Sequence, residues 1–134
     1  MAKENPPDEG ELPRRKPLAW LHGEIKTPPF SAEGRKEAGD LLRLLQEGER
    51  LGMPQAEVLP VVGARCGALR VWDGEHNWRI MYRVDPDVVL VLEVYARKTR
   101  KIPREVIERC RRRLRSYDQA VREAAKDRPK KGKS

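Results

Sequence analysis

Arg70 and Arg79 stand in two neighbouring stretches that alternate apolar and polar residues, a placement that can bring two guanidinium groups to one face of a sheet. Ala68-Leu69-Arg70-Val71-Trp72 has a period of two, Asp73-Gly74 supplies a turn, and Trp78-Arg79-Ile80-Met81-Tyr82-Arg83-Val84 alternates again, which predicts a hairpin. With Trp78, Ile80 and Tyr82 turned to a helix-covered core, Arg79, Met81 and Arg83 face the opposite, concave side. Arg70 then falls beside Arg79 in either register that keeps Leu69 and Val71 inward. A guanidinium is planar, stays charged and grips two phosphate oxygens at once, so the pair is suited to a phosphodiester. Trp72 shares the parity of Arg70 and can line the same groove as a platform for a base, whereas Trp20 and Trp78 read as packing residues.

A second concentration of charge follows the last apolar run. From Arg97 to Tyr117 there are ten bases and two acids, so this segment carries as much net charge as the whole chain, +8. Such a one-sided excess is expected to meet a polyanion, nucleic acid or ribosome first. Lys98 is a candidate phosphate ligand or proton donor, and Arg97, Lys101 and Arg104 lie where the start of a helix adds its own positive end. Tyr95 reads equally as a stacking platform, a proton donor or a core residue. His22 and His76 read as surface residues. Cys66 and Cys110 have no ligand set at metal-binding spacing, so neither a metal nor any other cofactor is expected; Cys110 reads as a small buried hydrophobe.

The elements that must position these residues can be read from periodicity. With 134 residues, 38% of them hydrophobic and 37% charged, the chain suits one domain with a small core, and a second enzyme domain is excluded. Residues 1–16 are polar and Pro-rich and predict a disordered tail, 17–125 a single domain, and 126–134 a basic disordered tail. Leu18 and Trp20 give a first strand, with Ile25 at its far end. Ser31 caps a helix whose Ala38, Leu41, Leu42 and Leu45 share one face and whose end is marked by Gly48 and Gly52. Met53 to Gly63, with two prolines, reads as a connector. Val88 to Tyr95, apolar on both faces, is a central strand that completes an antiparallel meander. Pro103 opens a long amphipathic helix along Ile107, Cys110, Leu114, Tyr117, Val121 and Ala124. The expected fold is α+β, of two layers. No apolar run is long enough to span a membrane and no export signal is seen, so the expected compartment is the cytoplasm.

Three stretches resemble the RelE/ParE superfamily of bacterial toxins, and in particular its phage-derived, HigB-like branch. They are Lys16-Pro17-Leu18-Ala19-Trp20, then Leu69-Arg70 with Trp78-Arg79-Ile80-Met81-Tyr82, then the block from Val91 to Glu105 with its aromatic, paired bases, Thr99 and Pro103. The resemblance implies a RelE-like fold and a type II toxin: a metal-independent endoribonuclease that cuts mRNA in the ribosome and is neutralised by an antitoxin, expected to be a small helix-turn-helix protein. Arg79 matches the hairpin arginine that the superfamily uses on the scissile phosphate. Arg70, Lys98 and Tyr95 complete the candidate catalytic set, with Arg97, Lys101, Arg104, Arg83 and Trp72 as RNA contacts. The sequence departs from the pattern at Glu93, where the branch often carries His, and at Ala68, where a Glu is frequent. A general base is therefore not assigned. Two other readings share this chain's features: a module that binds RNA, ribosome or DNA by charge alone, and a ParE-like topoisomerase poison.

Overall fold

The computed structural model describes residues 15–127. The elements are β1 (Leu18–Trp20), α1 (Ala32–Gln46), β2 (Ala56–Val58), β3 (Cys66–Asp73), β4 (His76–Val84), β5 (Val89–Ala96) and α2 (Arg104–Asp127). They build a five-stranded sheet in the order β1-β5-β4-β3-β2. β1 runs parallel to β5 and the other neighbours are antiparallel.

The α+β class, the meander and the long C-terminal helix are as the sequence implies. The helices do not share a layer, however. α1 packs Ala38, Leu41, Leu42 and Leu45 with Phe30 on one face, against Leu69, Val71, Trp78, Ile80 and Tyr82. α2 packs Val106, Cys110 and Leu114 on the other, against Ala68, Met81, Leu90 and Leu92. The face that the alternation left open is thus half roofed by α2, and Met81 is a core residue. Each fully buried aliphatic side chain contributes about 1.5–3 kcal/mol, which makes these two small cores the main stabilising term.

Three further differences from the sequence reading have local causes. β2 falls within the segment read as a connector, because a strand of three residues between Pro54 and Pro60 is too short to show a period. Ile25 lies outside β1 and packs against the first core from a loop. Lys16, placed by the sequence in the tail, is tied down: its amide donates to Gln46 O (2.8 Å), Gln46 Nε2 donates to its carbonyl (2.6 Å) and its Nζ donates to Asp85 O (3.0 Å). Most of both expected tails, residues 1–14 and 128–134, lies outside the described residues.

The hairpin tip is fastened to the start of α1. Ser31 Oγ accepts from the Gly34 amide (2.9 Å) as the N-cap and donates to Asp73 Oδ1 (2.6 Å), while the Ser31 amide donates to Asp73 Oδ2 (2.8 Å). These bonds hold the Asp73 carboxyl below its ordinary range. The close approach requires glycine at 34, since a Cβ there would sit 2.5 Å from Asp73 Oδ2. Gly34→Ala is therefore expected to destabilise by about 1–3 kcal/mol, although alanine is the better helix former. A urea unfolding curve checks this; a midpoint that rises would mean that Asp73 moves aside at no cost.

A candidate anion-binding row on the sheet

Strand pairing sets three chemistry-bearing side chains in one cross-strand row. Arg70 of β3 is opposite Arg79 of β4, and Arg79 is opposite Tyr95 of β5. The next row brings Trp72 opposite Asn77, and the Arg97 amide donates to Asn77 O (2.8 Å). Arg70 and Arg79 do share one face, as the alternation implies.

The burial of Arg79 was not expected. Its side chain is 1% exposed, where the sequence reading placed it on an open groove. The reason is Arg97, whose Nη1 lies 3.9 Å from Glu57 Oε1. Arg97 follows β5 and Glu57 belongs to β2, with β4 and β3 between them, so this ion pair crosses the face that holds Arg70 and Arg79. Arg97 acts as a cover as well as a charge.

The row is polar and poorly satisfied. Arg79 Nη1 donates to Asn77 Oδ1 and to the Trp78 carbonyl (3.2 Å), and Arg70 Nη1 donates to Pro54 O (3.5 Å). Among the described residues, the buried side-chain atoms without a hydrogen-bond partner are Arg70 Nε, Arg79 Nε and Tyr95 OH, all three in this row. A buried donor left without a partner costs about 1–3 kcal/mol, so three in a single row concentrate strain where an acceptor would relieve it. Desolvation, then the charges of Arg97 and Arg70, push the Arg79 guanidinium below its ordinary pKa. Burial raises the Tyr95 phenol, against the pull of Arg97 and Arg79, so the phenol keeps its proton at neutral pH. Tyr95 faces the α2 side and packs at the edge of its core. Along β5 the register shifts opposite Met81 and Tyr82, leaving Leu92 as an extra residue, so that Val91 and Tyr95 face opposite cores.

Access to the row is from the β2 side. Arg70, Trp72 and Asn77 line a cleft of about 310 Å³ with Glu37, Pro54 and Gln55. Trp72 is 70% exposed there, an open aromatic face beside the guanidinium of Arg70. Lys98 is exposed just beyond Arg97. Lys101 and Arg104 line a different cleft, of about 680 Å³, with Val61, Ile107 and Arg111.

Arg83, expected among the RNA contacts, is paired within the protein. Its Nε donates to Asp85 Oδ1 (2.7 Å), and its Nη2 donates to Asp85 Oδ2 (2.8 Å) and Asp118 Oδ1 (2.8 Å), so two carboxylates neutralise it beneath α2. The basic segment is likewise only partly free: Arg109 and Arg113 turn inward to Glu93. Burial raises the Glu93 carboxyl, but these bonds and charges outweigh it and hold the group below its ordinary range. Glu93, where the resemblance led one to look for a histidine, is a structural anchor for α2.

The sequence reading missed Glu57 and Asn77. Nothing in the pattern marked Glu57, because the strand carrying it was not legible; Asn77 is visible only once the register is known.

Comparison with known proteins gives one family match. The family described as "Phage derived protein Gp49-like (DUF891)" matches residues 28–115, well over half of the chain and including the entire arginine row. The chain belongs to the Gp49-like family. Membership is compatible with a toxin of a toxin–antitoxin system, and it suggests an antitoxin partner. No curated protein and no solved structure matches the chain. Among the described residues, no helix is long and apolar enough to cross a membrane.

Proposed function

We propose that this Gp49-like protein is the toxin of a type II toxin–antitoxin pair and that it cleaves mRNA on the ribosome, with Arg79 and Arg70 as the charge stabilisers of the scissile phosphate. One observation carries the reading: among the described residues, the unpartnered buried donors gather in the row Arg70–Arg79–Tyr95. Arginines kept desolvated and under-bonded are preorganised for charge that appears only in the transition state, where one such donor is worth about 100- to 1,000-fold in rate.

The reaction that suits this row is attack of a ribose 2′-hydroxyl on the adjacent phosphorus. Negative charge then grows on the phosphorane oxygens, where the Arg70 and Arg79 guanidinium groups would hold it. Tyr95, or Lys98 after a small movement, would protonate the departing 5′ oxygen. Trp72 offers its exposed face for a displaced base. Lys98, Lys101 and Arg104 would guide the RNA backbone toward the row, and the cytoplasm follows as the working compartment.

Induced expression in a bacterium, followed by primer-extension mapping of transcripts, tests the reading. Growth arrest with new 5′ ends inside coding regions is the expected result. Intact messages beside abundant soluble protein would overturn it and favour the charge-driven binding module, whose affinity would fall with salt by about 0.7 log units per neutralised phosphate of a single strand.

A further inference from the structure

We infer that Glu57 is the general base of this site: its carboxylate takes the proton of the 2′-hydroxyl once Arg97 has exchanged it for a phosphate. The inference rests on the endoribonuclease reading above. The arginine row supplies cations but no group that accepts a proton.

Four carboxylates on or beside the sheet are fixed by their partners. Glu93 is locked by Arg109 and Arg113, Asp73 by Ser31, and Asp85 and Asp118 by Arg83. Glu57 is different. Among the described residues its one ion pair is the long one to Arg97, 3.9 Å, in which Glu57 is 36% and Arg97 16% exposed. It pairs across the ladder with Ala68, whose small side chain belongs to the same face as Met81, one row from Arg70 and Arg79. Its charge bears on both Arg79 and Tyr95. It is thus a carboxylate on the face that holds the row, kept there by one long ion pair.

The ion pair with Arg97 explains how a base can coexist with a covered Arg79. The pair is long, and Glu57 is its more exposed partner, so an RNA phosphate with its own full charge can displace the carboxylate from Arg97. One movement then uncovers Arg79, gives the phosphate a third guanidinium and leaves the Glu57 oxygen free. Glu57 accepts the 2′ proton, the 2′ oxygen forms its bond to phosphorus, the bond from phosphorus to the 5′ oxygen breaks, and that oxygen leaves with a proton from Tyr95 or Lys98. The products are a 2′,3′-cyclic phosphate and a 5′-hydroxyl, and no co-reactant is needed.

The experiment compares wild type with Glu57→Gln on ribosomes carrying a short mRNA in the A site. The linkage that the wild type cuts is made once with oxygen and once with sulfur in the 5′ bridging position. Sulfur leaves without a proton, so it rescues the loss of a general acid but not of a base. Glu57→Gln is expected to cleave both substrates about 100-fold more slowly than wild type, the usual lower bound for a general base, with binding to the programmed ribosome unchanged or tighter. Glu57→Asp, which keeps the carboxylate, should recover part of the rate, and thermal melts should match wild type for both variants. Wild-type rates in Glu57→Gln, or a defect that vanishes on the sulfur substrate, would overturn the role of Glu57 while leaving the endoribonuclease reading in place. A wild-type protein that binds the ribosome and cuts neither substrate would overturn both.

Discussion

Arg79→Met is expected to lower mRNA cleavage by about 100- to 1,000-fold while leaving the melting temperature equal to or above that of the wild type. Two opposite signs in one variant make this a strong test, and each has its own cause. The side chain is 1% exposed, lies between Arg70 and Arg97, and keeps its Nε without a partner, so the fold carries the desolvation and the like-charge repulsion of a third guanidinium. Methionine fills a similar elongated space without charge or buried donors. It forfeits the charge-assisted bonds to Asn77 and to the Trp78 carbonyl, each worth about 1.5–3 kcal/mol, but removes an unsatisfied donor worth about 1–3 kcal/mol, the desolvation of a buried charge and the repulsion with it. Affinity for the programmed ribosome should change little, since the exposed Lys98, Lys101 and Arg104 remain. A melting temperature that drops by several degrees would show that the guanidinium supports the fold. A loss of binding that matches the loss of rate would mean that Arg79 holds RNA without favouring the transition state.

That combination of signs also explains what the sequence can and cannot reveal. The two-residue period placed Arg70 and Arg79 side by side correctly, because cross-strand register follows from keeping Leu69, Val71, Trp78 and Ile80 on one face. It could not show what covers the other face. A seam along α2 announces an amphipathic helix but not the side of the sheet on which it docks, and that choice turns Met81 from an open-face residue into a core one. Parity along β5 is lost at Leu92, where the extra residue turns Tyr95 and Val91 to opposite sides, and a run of apolar residues gives no warning of a bulge. The seam itself outlasts the sheet: Cys110 and Leu114 are buried whereas Val121 is 49% exposed, because the strands end before the helix does. Glu57 was invisible for a different reason, since a three-residue edge strand between prolines has too few residues for any period to emerge. Charge counting overstated the free cations, because Arg109 and Arg113 serve Glu93 rather than a ligand.

Arg83 shows the same distinction between a charge on a strand and a charge available to RNA, and its removal should act on stability rather than on function. Its side chain is 11% exposed and Asp85 beside it is 10% exposed, so the pair is largely withdrawn from water. Arg83 also reaches Asp118 of α2 (2.8 Å), which makes it the tie between the end of β4 and the middle of the helix. Hydrogen bonds to Asp118 and Asp85 raise the Arg83 guanidinium above its ordinary range, against its desolvation, so it stays charged throughout. Arg83→Ala would leave the Asp85 carboxylate buried with only the partly exposed Arg65, 3.2 Å away, and is expected to cost about 3 kcal/mol. The effect has a pH signature. Arg83 holds the Asp118 carboxyl below its unfolded value, so the stability it supplies is complete above that value, near 4, and is lost as pH falls through the lowered folded value. The gap between wild type and Arg83→Ala in urea unfolding should therefore be widest near neutrality and narrow in acid below about pH 4. Cleavage per folded molecule and the salt slope of ribosome binding should match wild type. A slope reduced by about 0.7 with no loss of stability would instead return Arg83 to the RNA-binding surface, and would mean that Asp85 and Asp118 release it when RNA arrives.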